Sequence, residues 1–131
     1  MHTLYGIKNC DTVKKARQCL DQNGIAYQFH DFRADGLTPA QLNDFAARLD
    51  WNMLLNRGST SWRQLSAEQQ SDLTLEKALS LMFNTPTLIK RPILDTGDKL
   101  IVGFTIKNGG YAELLPGAGA AKAGHYQTEL L

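Results

Sequence analysis

The segment TLYGIKNCDTVKKARQCLDQNGIAYQFH, residues 3–30, decides the fold. Its opening, residues 2–6, is short and apolar-rich through Leu4 and Tyr5, stops at Gly6, and reads as a strand. Residues 11–22 then switch to helical spacing. Val13, Ala16, Cys19 and Leu20 fall on one face, while Lys14, Lys15, Arg17 and Asp21 take the other. Asp11 is the expected N-cap, and Asn23-Gly24 supplies the stop. Residues 25–30, IAYQFH, alternate and predict a second strand. Strand, helix and strand in this order make a βαβ unit, so the two strands should run parallel.

Helices are expected next. Thr38 caps a helix with Pro39 at its first position, and Leu42, Phe45, Ala46 and Leu49 form its apolar face to about Asp50. Residues 51–64, WNMLLNRGSTSWRQ, hold an apolar stretch, a Gly-Ser-Thr-Ser break and Trp62, and Ser66 with Gln69 has the spacing of a capping box. Thr74–Asn84 predicts a further helix burying Leu75, Ala78, Leu79, Met82 and Phe83. Strands return as Pro92–Leu94 and Leu100–Val102 around a DTGDK turn, followed by a helix over Asn108–Leu115. The expected architecture is a thioredoxin-like α/β fold with an all-helical insertion at about residues 38–84, between the second and third strands. Residues 1–116 form one domain, and 117–131 are a Gly- and Ala-rich C-terminal tail.

Bulk properties narrow the function. A net charge of +1 gives no electrostatic reason for direct nucleic-acid or membrane binding. No apolar run approaches the ~20 residues of a bilayer span, and the N-terminus lacks a leader pattern, so the expected compartment is the cytoplasm. Two cysteines and three unclustered histidines make neither a disulfide scaffold nor a metal site.

Cys10 lies just before a helix start, where unpaired amides and the helix dipole stabilise a thiolate or a bound anion. Lys8, Lys14 and Lys15 add positive charge, and Thr12 offers a hydroxyl. Cys10 can equally be a small buried residue. Cys19, on the apolar helix face, lies ~13 Å along the axis from Cys10, beyond the ~7 Å reach of a disulfide, and reads as core. Val13 stands where a Cys-x-x-Cys motif would place its second thiol, so any resolving thiol must come from elsewhere. In LIKRPILD, residues 88–95, Arg91 precedes Pro92 at a strand start and presents a guanidinium fork suited to oxyanions or carboxylates. A surface pair with Asp95 is the plain alternative. Arg57, in NRGSTSWR, precedes small polar residues that let a ligand approach the backbone, or is a solvated loop charge.

Together, the YxxxNCDT after the first strand, the LLNRG of the helical segment and the LIKRPIL before the last strands resemble the ArsC family, in particular its YffB-like branch. The resemblance covers residues 1 to about 116. It implies one catalytic cysteine, Cys10, an anion-binding Arg91 followed by a cis Pro92, and a second arginine at Arg57. It departs from the arsenate reductases at Gly6, where they carry histidine, and at Val102–Thr105, where they carry a third arginine. Both departures argue against arsenate as the physiological substrate. The expected function is a glutathione-dependent thiol reductase acting on a disulfide or anionic substrate. Lys8, Asn9, Thr12, Arg57, Arg91 and Pro92 would bind substrate or glutathione. Glutathione is then the co-substrate, no metal is implied, and glutaredoxin is a candidate recycling partner. The alternatives are an Spx-like regulator that docks on RNA polymerase and an arsenate reductase proper.

Overall fold

Strand β1 (His2–Gly6) lies inside the sheet and organises the rest. The structure is a computed structural model that describes residues 2–105 together with Gly110, Tyr111 and Leu114. Helix α1 (Asp11–Gln22) returns the chain so that β2 (Tyr27–Asp31) pairs parallel to β1, with His2 opposite Tyr27 and Gly6 opposite Asp31. The N-terminal βαβ unit is therefore as the sequence predicts. The second strand starts two residues later than expected. Gly24, at φ +67°, donates its N–H to Asp21 O and Ile25 donates to Leu20 O, so Gly24 and Ile25 finish the helix rather than begin the strand.

Between β2 and β3 lie α2 (Pro39–Arg48), α3 (Thr60–Arg63), α4 (Ala67–Gln70) and α5 (Leu75–Asn84), with 3-10 turns at Trp51–Met53 and Pro86–Leu88. Both capping boxes form, Thr38 with Gln41 and Ser66 with Gln69. Helix α2 ends at Arg48 rather than near Asp50, because the Asp50 carboxylate accepts the Asn52 N–H at 2.9 Å and caps the next turn instead. The Gly-Ser-Thr-Ser break is itself a helix start, where Ser59 Oγ accepts the Trp62 N–H at 3.1 Å. On α5, Ala78 and Met82 are buried, but Leu75 and Phe83 are 40% and 41% exposed, contrary to expectation. Spacing puts these residues on the apolar face, yet α2 and the two 3-10 turns cover only part of it.

The last strands are β3 (Ile93–Asp95) and β4 (Leu100–Val102), each antiparallel to its neighbour in the order β2-β1-β3-β4. The third strand begins at Ile93 rather than Pro92, which has no N–H for the ladder. Alternate strand residues face opposite layers. Leu4 and Leu94 pack with Ala16, Cys19, Leu20, Phe104 and Tyr111 on the α1 side. Ile7 and Ile93 pack with Leu42, Phe45, Leu54, Leu88 and Ile89 on the side of α2 and α5. The arrangement is the thioredoxin-like α/β class. Most of the expected Asn108–Leu115 helix and all of the 117–131 tail lie outside the described residues.

Candidate functional site

Gly6 ends β1, and the chain turns at once. The Cys10 N–H donates to Ile7 O at 3.2 Å, which closes a turn with Lys8 and Asn9 exposed at its tip. Cys10, with extended dihedrals of φ −103° and ψ 124°, is the N-cap of α1, and its carbonyl accepts the Lys14 N–H at 3.0 Å. The expected cap, Asp11, is instead the first helical residue, where its charge complements the helix dipole. The amides of that first turn have no carbonyl partners within the helix. Cys10 is half-buried, and its side chain makes no capping hydrogen bond. Thr12 sits half-buried at the same helix end, and no hydrogen bond joins it to the thiol.

Asp31 ends β2, one residue beyond the strand expected over residues 25–30. It is 8% exposed. One carboxylate oxygen accepts the Lys8 N–H at 3.2 Å, and the other accepts the amides of Arg33 at 2.7 Å and Ala34 at 3.2 Å. Burial pushes its carboxyl up, but the three amides outweigh burial and hold it below the usual carboxylate range. A lone acid at a strand end carries no local sequence signal of this, because its partner Lys8 is distant in the chain.

Two features that distinguish the loop sequence meet in space. Val13 is fully buried, and a Cβ built on Gly6 would lie 2.8 Å from Val13 Cγ2. Val13 therefore closes the space that a side chain at position 6 would need. Cys19, expected as core, is 1% exposed. Burial raises its thiol, offset in part by the Tyr111 N–H and the Asn23 side chain.

The Arg91-Pro92 peptide is cis, as the resemblance implies. Tyr5 pairs with Ile93, so one further step along the antiparallel register sets Pro92 opposite Gly6, where the cysteine turn begins. Pro92 is buried, and its carbonyl accepts the Gly103 N–H at 2.8 Å. Asp95 does not pair with Arg91, because its two oxygens accept Arg48 Nη1 and Nη2 at 2.8 and 2.9 Å. Arg91 is half-buried and has no acidic partner among the described residues.

Arg57 is exposed, donates to Asn52 Oδ1 at 3.0 Å, and lies 5.7 Å from the Trp62 ring centroid. Its loop is stitched to the segment preceding Arg91. The Asn56 N–H donates to Leu88 O at 2.8 Å, and the Lys90 N–H donates to Leu54 O at 2.7 Å. The fold thus gathers the Cys10 turn and Arg91 at one end of the two central strands and ties the Arg57 loop to the segment leading into it. Among the described residues, no group of three or more His, Cys, Asp or Glu stands together as a metal site. No helix among them is long and apolar enough to cross a membrane.

A match to the ArsC family spans residues 5–109. The chain belongs to the ArsC family. An uncharacterised relative from Haemophilus influenzae is 44% identical over 107 residues, covering 82% of this chain and 94% of its own. The solved structure of a protein named YFFB superposes with a TM-score of 0.81 at 43% identity, covering 88% of this chain and all of its own. That of a Brucella melitensis protein described as arsenate reductase (ArsC) related does so with a TM-score of 0.72 at 42% identity, covering 86% and 92%. These likenesses put the chain in the YffB-like branch of ArsC proteins. The global transcriptional regulator Spx of Listeria innocua is 24% identical over 106 residues, covering 79% of this chain and 80% of its own.

Proposed function

We propose that this protein is a glutathione-dependent thiol reductase that works through Cys10 alone. The observation that carries the reading is the half-buried Cys10 at the N-cap of a twelve-residue helix, with its side chain uncommitted and no second thiol within reach. The Cys10 thiolate attacks one sulfur of a disulfide. A Cys10–sulfur bond forms, and the other half leaves as a thiolate. The thiolate of glutathione then attacks the outer sulfur of this mixed disulfide, the one bonded to Cys10 Sγ. It takes up the adduct as a new disulfide and returns Cys10 with its electron pair. Amides of the first helical turn stabilise the negative charge at sulfur. Glutathione suits the cations around this site, because its two carboxylates can pair with Arg91 and Arg57 while its thiol reaches Cys10. Lys8, Asn9, Thr12 and Pro92 complete the binding surface in this reading. Glutaredoxin is the recycling partner to test beside free glutathione.

The test is exposure of the folded protein to glutathione disulfide at pH 7, read by intact mass and peptide mapping. A single glutathione adduct on Cys10 is expected, absent in Cys10→Ser and released by added glutathione. Arg91→Ala should weaken glutathione binding by about tenfold, in line with loss of a charge-assisted hydrogen bond. An unmodified Cys10, or equal affinity in Arg91→Ala, overturns the reading. The similarity to Spx favours a second reading, docking on RNA polymerase. Co-purification with the polymerase, undiminished in Cys10→Ser, would support that instead.

A further inference from the structure

We infer that Asp31 is a positioning residue, which holds the Lys8–Asn9 turn so that Cys10 stays at the helix N-cap. The inference rests on Cys10 being the reactive thiol, and it is built from three contacts that converge on that turn. The Phe32 N–H donates to Gly6 O at 2.9 Å, which extends the β1–β2 pairing up to the turn. The Lys8 N–H then donates to Asp31 Oδ2 at 3.2 Å. The Cys10 N–H closes the turn on Ile7 O. Of these, only the middle contact uses a side chain, so it alone can be lost by substitution without breaking the main-chain pairing. The carboxylate is itself well anchored. Its other oxygen holds the Arg33 and Ala34 amides, and the Asp31 N–H donates to Asp35 Oδ2 at 2.9 Å. Asp31 therefore couples two loops at the sheet edge, one of which carries the thiol. An asparagine has one acceptor oxygen in place of two and cannot serve both sides at once.

The test uses Asp31→Asn, with Lys8→Pro as an independent variant. Lys8 occupies the second position of its turn, where proline is favoured, so Lys8→Pro deletes the donor and keeps the turn. Lys8→Ala controls for the lost charge. Three rates are read on each folded protein: exchange of the Lys8 amide where it exists, carbamidomethylation of Cys10 by iodoacetamide, and addition of glutathione disulfide to Cys10. In Asp31→Asn the Lys8 amide should exchange at least tenfold faster. Cys10 should react about tenfold more slowly with both reagents, with Cys19 still protected. Lys8→Pro should react about tenfold more slowly than Lys8→Ala, which carries the same loss of charge but keeps the amide donor. Cys10 rates within twofold of the parent in Asp31→Asn and within twofold of Lys8→Ala in Lys8→Pro overturn the inference, as does unchanged Lys8 exchange. A parent protein that reacts with iodoacetamide but not with glutathione disulfide defeats the proposed function, and the first two rates still decide the role of Asp31.

Discussion

Gly6 and Val13 close one another's space, and this contact explains at residue scale why the cysteine loop has the composition it does. Gly6 is not at positive φ, so alanine there meets no backbone penalty. Its cost is the 2.8 Å approach to Val13 Cγ2, from a side chain that is fully buried and cannot swing away. Gly6→Ala should therefore destabilise the protein by about 1–3 kcal/mol, the usual range for overpacking. Val13→Ala should destabilise it by opening a small cavity. The two together should cost less than the sum of the single changes, because each relieves the other's defect. Urea unfolding of the four proteins measures the coupling, and strict additivity would contradict the contact. The cysteine's place was only partly legible in sequence. Residue preference ranks Asp above Cys as an N-cap, so Asp11 was the natural choice. The backbone instead puts Cys10 at the cap, because the turn closed on Ile7 uses up the residues before it.

Among the elements, α2 is fixed at both ends by different chemistry. At its start, Thr38 and Gln41 satisfy one another's backbone donors, at 3.1 and 2.8 Å. Thr38→Ala should cost about 1 kcal/mol of stability, measured by thermal or urea unfolding. At its end, Arg48 grips Asp95 of β3 with both nitrogens and also reaches Asp44 at 3.3 Å. The side chains of that pair are 23% and 22% exposed, so solvent screens them only in part. The Arg48 hydrogen bonds hold the Asp95 carboxyl below its usual range against the opposing effect of burial, helped by the Gly97 N–H. A lowered folded-state value means the stabilisation is fully present above the unfolded carboxylate value of ~3.9. It is lost as pH falls through the folded value. Asp95→Asn should therefore cost about 1.5–3 kcal/mol at pH 7. The gap to the parent should close as the pH drops below ~4, and unfolding curves at pH 7, 5 and 3 will show it. The two ends of α2 also differ in legibility. Thr38-Pro39 and Gln41 announce the start within four residues, whereas nothing local to Arg48 names Asp95 as its partner. The same limit hid Asp31. It likewise misled the reading of α5, since apolar spacing gives Leu75 and Phe83 a side of the helix without saying whether another element covers it.

At the scale of the whole molecule, the sheet separates two apolar layers, and the two cysteines report on them differently. Cys10 is half-buried beyond the end of β1, while Cys19 is 1% exposed between α1 and the sheet. Leu88 lies in the other layer and is fully buried with Leu54, Ile89 and Met82. If the domain unfolds as one unit, a cavity on the α5 side must be felt at Cys19 across the sheet. Leu88→Ala should cost about 2–5 kcal/mol. Alkylation of Cys19 then requires opening of the whole domain, so its rate should rise by between about thirtyfold and a few thousandfold. Cys10, already accessible in the folded state, should change its rate little. Site-resolved alkylation with mass spectrometry measures both thiols in one sample. If Leu88→Ala leaves Cys19 as protected as in the parent while unfolding calorimetry shows the loss, the two layers open separately, and the βαβ unit holds together without the helices between β2 and β3. The single sheet argues for the first result. Both layers rest on alternate residues of β1 and β3, Leu4 and Leu94 on one side and Tyr5 and Ile93 on the other, so neither layer can be lost without the strands that carry the other.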